Sequence, residues 1–543
     1  MTLCQVRPRS LVASLALAVL AGLGAASAFA QAPSAPRAPQ AVPSVPGVPP
    51  APPAPPAPPA AERSSLGPGA ERLVSEATTA CRQRRVTISA QAADIAIQGG
   101  PGDQVTAVGV LEFQSSDTEW ASAVRKQFKL DLKESADEIR IQPSLPEPPR
   151  SWLGRSKGSY AIRLTVTVPK GAGVHVDAAF GDVVVRDTAG AVRLALSSGD
   201  GEVRGAAGPV ELSSSFGDLS VADVAGELRV QASSGDLEAV RVRGAVDVDA
   251  SYGDIRLSDL GAGLRLSAGS GDLSIQRVAG PADISVQYGD SELSGLGAGL
   301  RFNGSSGSLS VAQVQGPAEV RNTYGDIEIS GAGADVRVFS GSGSVMVREA
   351  RAGVRTESNY GDVELERIGG PVQVTAGSGG VTVTAATGTV EVRATHSPIR
   401  IGKAGGGVTV FSSSGPVEIT DAAGPVKVDS SGGPVSVQGI RGATEIRSTG
   451  GPVDLGGFGG GALSATHTIS AGSGDVDIDW PAAAGVAWRL ESFGGDVTVL
   501  RPGEGPLEGT TQGARVYLDG RWREGAARIE VSSRGADVAL DIR

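Results

Sequence analysis

Of the 31 positions reached in steps of nine from Gly181 to Gly451, 26 are glycine; Ala262, Ala298, Ala334, Ala352 and Ser397 are the exceptions. A period that short, held for that long, means one small unit copied along the chain, each copy burying its apolar face on the next. Helical bundles are excluded, because glycine costs order in helix interiors. Collagen is excluded as well, since no Gly-X-Y triplet persists. The second and fourth residues after each glycine are usually aliphatic: Leu219 and Val221, Leu228 and Val230, Ile255 and Leu257, Ile327 and Ile329, Val372 and Val374. Such alternation predicts a half-buried strand of about five residues closed by a glycine turn. The 78 glycines among 543 residues therefore belong to structure rather than to low complexity, and 40% hydrophobic residues are enough to fill a core.

Two kinds of nine-residue unit alternate. One begins Gly-Asp and carries an apolar residue seven positions on (Val224, Val242, Leu260, Val278, Leu296, Val314, Ile368). The other commonly begins Gly-Pro or Gly-Ala and ends in small polar residues (Ser233, Ser251, Ser305, Thr323, Asn359). A longer period of 36 is superimposed, because the residue before Gly-Asp alternates between a ring (Phe180, Phe216, Tyr252, Tyr288, Tyr324, Tyr360) and serine (Ser198, Ser234, Ser270, Ser306, Ser342, Ser378). Charge decides which period is one coil. An outward position reads Arg193, Glu211, Arg229, Asp247, Arg265, Asp283, Arg301, Glu319, Arg337 at steps of 18. Coils of 18 stack these as alternating ion pairs, whereas coils of 36 would stack arginine on arginine. The chain is thus expected to be all-β, a two-sided parallel β-solenoid of about fifteen coils and roughly 70 Å.

Both ends of such a stack need covers. Residues 70–173 lack the nine-step, contain a short helix at about 119–128 and a strand at 162–168 entering the first coil, and read as an N-terminal cap. Repeats are expected over 174–458, and a C-terminal cap over 459–543. There Gly474-Asp475 and Gly495-Asp496 fall out of register, and Trp480, Trp488 and Trp522 are suited to sealing the last coil. Residues 1–30 read as an export signal, with Arg7 and Arg9, an apolar run and the Ala28-Phe29-Ala30 cleavage pattern. An uncleaved anchor is the competing reading. Cleavage removes Cys4 and two positive charges, taking the formal charge from −11 to −13 and leaving Cys81 alone. Residues 31–62 hold 13 of the 33 prolines, including the Pro-Pro-Ala repeat of Pro49 to Pro59, and read as a polyproline II linker.

Leu164-Thr165-Val166-Thr167-Val168-Pro169-Lys170-Gly171, then Val174-His175-Val176-Asp177 and Phe180-Gly181-Asp182-Val183, followed by units such as Ser234-Gly235-Asp236-Leu237 and Ser270-Gly271-Asp272-Leu273, resemble the bacterial β-repeat family labelled DUF4097, the "putative adhesin" domain. The resemblance covers about 160 to 460. It implies a secreted or envelope β-solenoid with an adhesive role, and it carries over no catalytic residue.

The most regular polar feature is the corner aspartate: Asp182, Asp200, Asp218, Asp236, Asp254, Asp272, Asp290, Asp326 and Asp362. As turn residues these bond to backbone N–H groups. A sharper reading makes Asp236, Asp254, Asp272 and Asp290 calcium ligands, although the G-G-x-G-x-D nonapeptide of calcium-binding β-rolls is missing. Beyond Gly379 the corner turns neutral, with Pro398, Pro416, Pro434 and Pro452. Tyr252, Tyr288, Tyr324 and Tyr360 either fill the corner, as Phe180 and Phe216 would, or form a sugar-stacking stripe beside the carboxylates. A carboxylate repeated in every coil signals a scaffold rather than one tuned acid–base pair, and His175, His396 and His467 lie in no catalytic motif. Net negative charge opposes nucleic acid. The expected function is an exported, non-enzymatic adhesion or envelope scaffolding module for glycan or protein surfaces, without a resident cofactor. A carbohydrate-active β-helix enzyme and a calcium-stiffened rod are the alternatives.

Overall fold

Each repeat turns the alternation of its sequence into two strands. In Leu219–Val224 the side chains of Leu219, Val221 and Val224 point inward, and in Leu228–Ser234 those of Leu228, Val230 and Ala232 do; all six are buried. The first strand pairs in parallel with the one eighteen residues later (Leu219↔Leu237), and so does the second (Leu228↔Val246). Two parallel sheets thus face each other across rows of aliphatic side chains, each fully buried Val or Leu contributing about 1.5–3 kcal/mol. The computed structural model, which describes residues 70–147 and 158–543, is a parallel β-solenoid of about 16 turns with ~18 residues per turn. Tyr252 lies in register with Ser234 on one side and Ser270 on the other, so the 36-residue period spans two coils rather than one.

The alternating charge row pairs where its geometry allows. Arg193 meets Glu211 at 3.5 Å, Arg229 meets Asp247 at 3.1 Å and Arg301 meets Glu319 at 3.8 Å. The alternation ends at Arg337, which stacks on Arg355; Arg355 instead bonds to Glu357 in its own strand at 2.8 Å. These are exposed pairs, each worth about 0–1 kcal/mol, so they tune register more than stability.

At the N-terminal end the order in space departs from the order in sequence. The elements there are β1 (Glu71–Ala80), β2 (Arg85–Ala90), β3 (Asp94–Gly100), β4 (Gln104–Ser115), α1 (Thr118–Gln127), β5 (Lys129–Glu134), β6 (Glu138–Ser144), β7 (Gly158–Pro169), β8 (Val174–Phe180) and β9 (Val183–Arg186). β2 and β3 form a layer of the parallel stack directly against β8 and β9, with Val86↔Val174 and Ile95↔Val183. β6 and β7 form the next layer outward, again parallel. The strand at 162–168 lies within β7 and leads along the chain into β8 of the first regular coil, while in space β3 lies between β7 and β9. Antiparallel strands cover the outer edges, β4 on β7, β1 on β4 and β5 on β6. The helix lies at 118–127, one residue from its expected start. Its N-cap Asp117 accepts from the amides of Glu119 and Trp120, and Trp120 packs edge-on to Phe113 at 5.9 Å.

The C-terminal end repeats the device. The pair Ala527–Arg534 and Val538–Ile542 is inserted between the layer of Thr466–Ala471 and Val476–Trp480 and the layer of Val486–Phe493 and Val497–Leu500. Antiparallel Arg515–Trp522 then covers the outer edge. Trp480 is fully buried and Trp488 nearly so, both in inward rows, while Trp522 is partly buried with its Nε1–H donating to Ala482 O at 3.0 Å. The period slips here because five residues beyond the repeat are inserted, folded as the 3₁₀ turn Gly460–Ser464, so that Thr444 faces His467, 23 residues on. The export signal, the proline-rich segment and any membrane anchor at 1–30 lie outside the described residues.

Candidate functional site

The edge of the solenoid is built by a column of glycines. From Gly181 to Gly379 every Gly-Asp glycine has φ between +109° and +126°. A Cβ on Gly253 would lie 2.1 Å from the carbonyl oxygen of Gly235, one coil below. Only glycine satisfies both the backbone sign and the close approach. Where Ser397 replaces it, the φ is not positive and its hydroxyl is buried without a partner.

The aspartate that follows each glycine caps the next coil. Oδ1 of Asp182, Asp200, Asp218, Asp236, Asp254 and Asp272 accepts from the backbone N–H of the aspartate eighteen residues later, at 2.8–3.0 Å. Asp290, Asp326 and Asp362 do the same for Ser308, Ser344 and Gly380 at 2.7–2.8 Å. The column reaches past the regular repeats: Asp94 accepts from Asp182 N–H, Asp475 from Asp537 N–H and Asp537 from Asp496 N–H. One oxygen of Asp236, Asp254, Asp272 and Asp290 is thus committed to the backbone, and among the described residues no three His, Cys, Asp or Glu side chains come together to hold a metal.

The rings do not fill the corner. Phe180, Phe216, Tyr252, Tyr288, Tyr324 and Tyr360 are each 60–64% exposed, standing off the edge one residue before the glycine. These rings are therefore not buried in the corner. His396 occupies the next place in the series and is exposed too, a continuation that the aromatic count alone missed although the 36-residue step contains it. Beside the rings, across the glycine, the aspartates and a second outward row (Glu202, Glu238, Glu292, Glu328, Glu364) make a broad acidic face. A groove of about 510 Å³ on that face is lined by Asp254, Asp272, Asp290, Asp326, Glu292 and Glu328, with Arg256 its one basic residue.

A further column escaped the sequence reading. Asp187, Asp223, Arg241, Asp259, Arg277, Gln313, Glu349, Arg367, Ala385, Lys403 and Asp421 all have φ of 54–59°, and Gly205, Gly295, Gly331 and Gly439 share the column. It turns the first sheet so that the apolar residue next in line points inward. Non-glycine residues cost about 1–2 kcal/mol there, and the eighteen-residue step at which glycine recurs was the only signal. Arg241 makes a two-pronged contact with Asp223 at 2.6 and 2.9 Å, and Arg277 one with Asp259 at 2.6 and 3.1 Å; the guanidinium hydrogen bonds hold both carboxyls below their ordinary range.

The three histidines are as scattered as their spacing implied. His175 pairs with Asp177 at 3.0 Å, His396 belongs to the ring series, and His467 is fully buried. His467 Nδ1 accepts from Thr444 Oγ1 at 2.6 Å and its Nε2–H donates to Ala462 O at 2.9 Å, in a nest with Phe458 and Trp480. Burial pushes its pKa below the ordinary imidazole value despite the carbonyl partner.

Among proteins with curated descriptions none matches the chain. A solved structure titled "putative cell adhesion protein", from Clostridium sporogenes ATCC 15579, is similar at 7% identity, covering 87% of this chain and 100% of that one with a TM-score of 0.14, a value too low to carry an argument. Residues 83–295, 262–394 and 369–540 each match the Toastrack DUF4097 family, together well over half of the sequence, and the chain belongs to that family.

Proposed function

We propose that the protein is an exported adhesion module that holds surface polymers, glycan or protein, along the ring-and-carboxylate edge of its solenoid. One observation carries the reading: six large rings stay 60–64% exposed at regular intervals along one edge. Large exposed rings gathered along one edge, rather than scattered singly, mark an interaction site. The non-enzymatic reading is supported by the uniformity of the acidic groups. Each corner aspartate caps a backbone amide of the next coil in the same way, whereas acid–base catalysis needs two carboxyls set apart from one another by their environments. The apolar run before Ala30 supports export.

The test compares the full-length protein with Tyr252→Ser/Tyr288→Ser in binding to intact bacterial cells and to isolated envelope polysaccharide. The expected result is a loss of at least tenfold in retained protein with an unchanged thermal midpoint. Equal retention would mean that the rings are not the adhesive element.

A further inference from the structure

The spacing of the rings narrows the ligand class, an inference that rests on the adhesive reading above. Phe180, Phe216, Tyr252, Tyr288, Tyr324, Tyr360 and His396 recur every second coil, with a serine in register between neighbours, as Ser270 lies between Tyr252 and Tyr288. Adjacent parallel strands are about 4.7–4.9 Å apart, so consecutive rings are about 9.4–9.8 Å apart. An extended β-strand repeats its facing side chain every ~6.6–6.8 Å and an α-helix turns every ~5.4 Å, and neither stays in step with such a ladder. A polyproline II helix repeats every three residues, about 9.3 Å. The mismatch is a few tenths of an ångström per ring, about 2 Å over six intervals, which side-chain rotation of exposed rings absorbs.

Charge sets the second requirement. The face beside the rings carries the aspartate column and Glu202, Glu238, Glu292, Glu328 and Glu364. Of that glutamate row, Glu238, Glu292 and Glu364 have no cationic partner among the described residues. A second copy of the same acidic edge would be repelled, in a chain whose net charge is already −11. A ligand with basic groups is attracted, and its ammonium or guanidinium groups also gain from the ring faces.

We propose that the ring ladder and its acidic flank form a docking surface for a basic, proline-rich polypeptide in the polyproline II conformation. Pyrrolidine rings at every third position stack on Tyr252, Tyr288, Tyr324 and their neighbours, while lysine or arginine between them reaches over the glycine corner to the carboxylates. Aromatic surfaces recognise this helix at low entropic cost because it is already extended in the free peptide.

The test measures binding of the full-length protein to peptides long enough to span six ring intervals, about eighteen residues. The probes are repeats of Pro-Pro-Lys, of Pro-Pro-Ala and of Gly-Gly-Lys, titrated at low and physiological salt. Pro-Pro-Lys should bind at least tenfold more tightly than either of the others and weaken with salt. Its affinity should fall at least tenfold in Tyr252→Ala/Tyr288→Ala/Tyr324→Ala, recover when the same positions are phenylalanine, and fall in Glu292→Gln/Glu328→Gln, which removes charge without touching the corner hydrogen bonds. Equal binding of Gly-Gly-Lys would overturn the proposal, since charge alone would then suffice. If no peptide binds while cells or polysaccharide are still retained in a ring-dependent way, the ligand class is wrong and the adhesive reading stands. If ring substitution changes neither, both fall.

Discussion

In the regular coils a strand finds its partners eighteen residues away on either side; at the two ends it finds them much farther off. Asp94 caps Asp182 across 88 residues, and Asp475 caps Asp537 across 62. The hydrogen bonds are of the same kind in both regions, and so is the inward row of aliphatic side chains. What differs is topology. In the body each coil is simply added to the last, a nearly one-dimensional stack whose stability is a sum of neighbour terms. At each end a strand pair is clasped between two layers that the chain makes elsewhere: β2–β3 between β6–β7 and β8–β9, and Ala527–Ile542 between the layers of Thr466–Trp480 and Val486–Leu500. The terminal strands therefore cannot peel off singly, and the exposed edges fall to antiparallel strands that do not continue the parallel pattern. β1 is the outermost of these in its sheet, and its exposed side chains include Glu71, Arg72 and Glu76, charges that discourage pairing with another molecule.

Loss of the clasped pair should unravel the C-terminal end. Deletion of residues 525–543 should open the layer that buries Trp480 and Trp488. Their emission should shift to the red, and proteolysis should cut back to the last regular coil near residue 456 while leaving a resistant body. A deletion variant that resists protease as well as the intact protein would show that the clasp does not hold the end together. Within the body, Gly253→Val combines a disallowed backbone sign with a Cβ 2.1 Å from the Gly235 carbonyl oxygen. It should cost more than about 3 kcal/mol in denaturant unfolding. Gly505→Ala, at a C-terminal position where a Cβ meets nothing within 4 Å and φ is not positive, should stay within about 0.5 kcal/mol of the parent. Similar costs at the two sites would mean that the glycine column is not specially constrained.

The smallest effect concerns pH at the C-terminal end. His467 has its pKa lowered by burial, so the folded state binds its proton less well than the unfolded one. Its stabilising contribution is then complete above the unfolded value of about 6.5 and is lost as pH falls toward the lower folded value. The thermal midpoint of the C-terminal transition should decline below about pH 6.5, and His467→Phe, packed against Phe458 and Trp480, should flatten that decline. A profile with the same slope in both proteins would place the titration elsewhere.

Much of the body was legible because its code is local. The alternation around Leu219 and Val221 named the inward rows, the nine-residue step named the corners, and the sign of the charges at Arg229 and Asp247 chose eighteen residues per coil over 36. The site was legible as a choice rather than an answer. Tyr252 and its companions were placed at the corner by their spacing, but whether a ring beside a glycine turn points in or out depends on how much room the stacked coils leave. The column at Asp223 and Arg241 was harder still, because charged residues in a left-handed conformation look like ordinary surface positions, and only the glycines that share their step betray it.

The coil of eighteen residues, its two strands and its glycine edge are written in the sequence, since each requirement acts between residues a fixed step apart. The order of layers at the two ends, the inter-coil partners of the aspartates, the burial of His467 and the exposure of the rings come from the folded chain. Those depend on which surfaces remain free once distant segments have met, and no periodicity records a contact made across 62 or 88 residues.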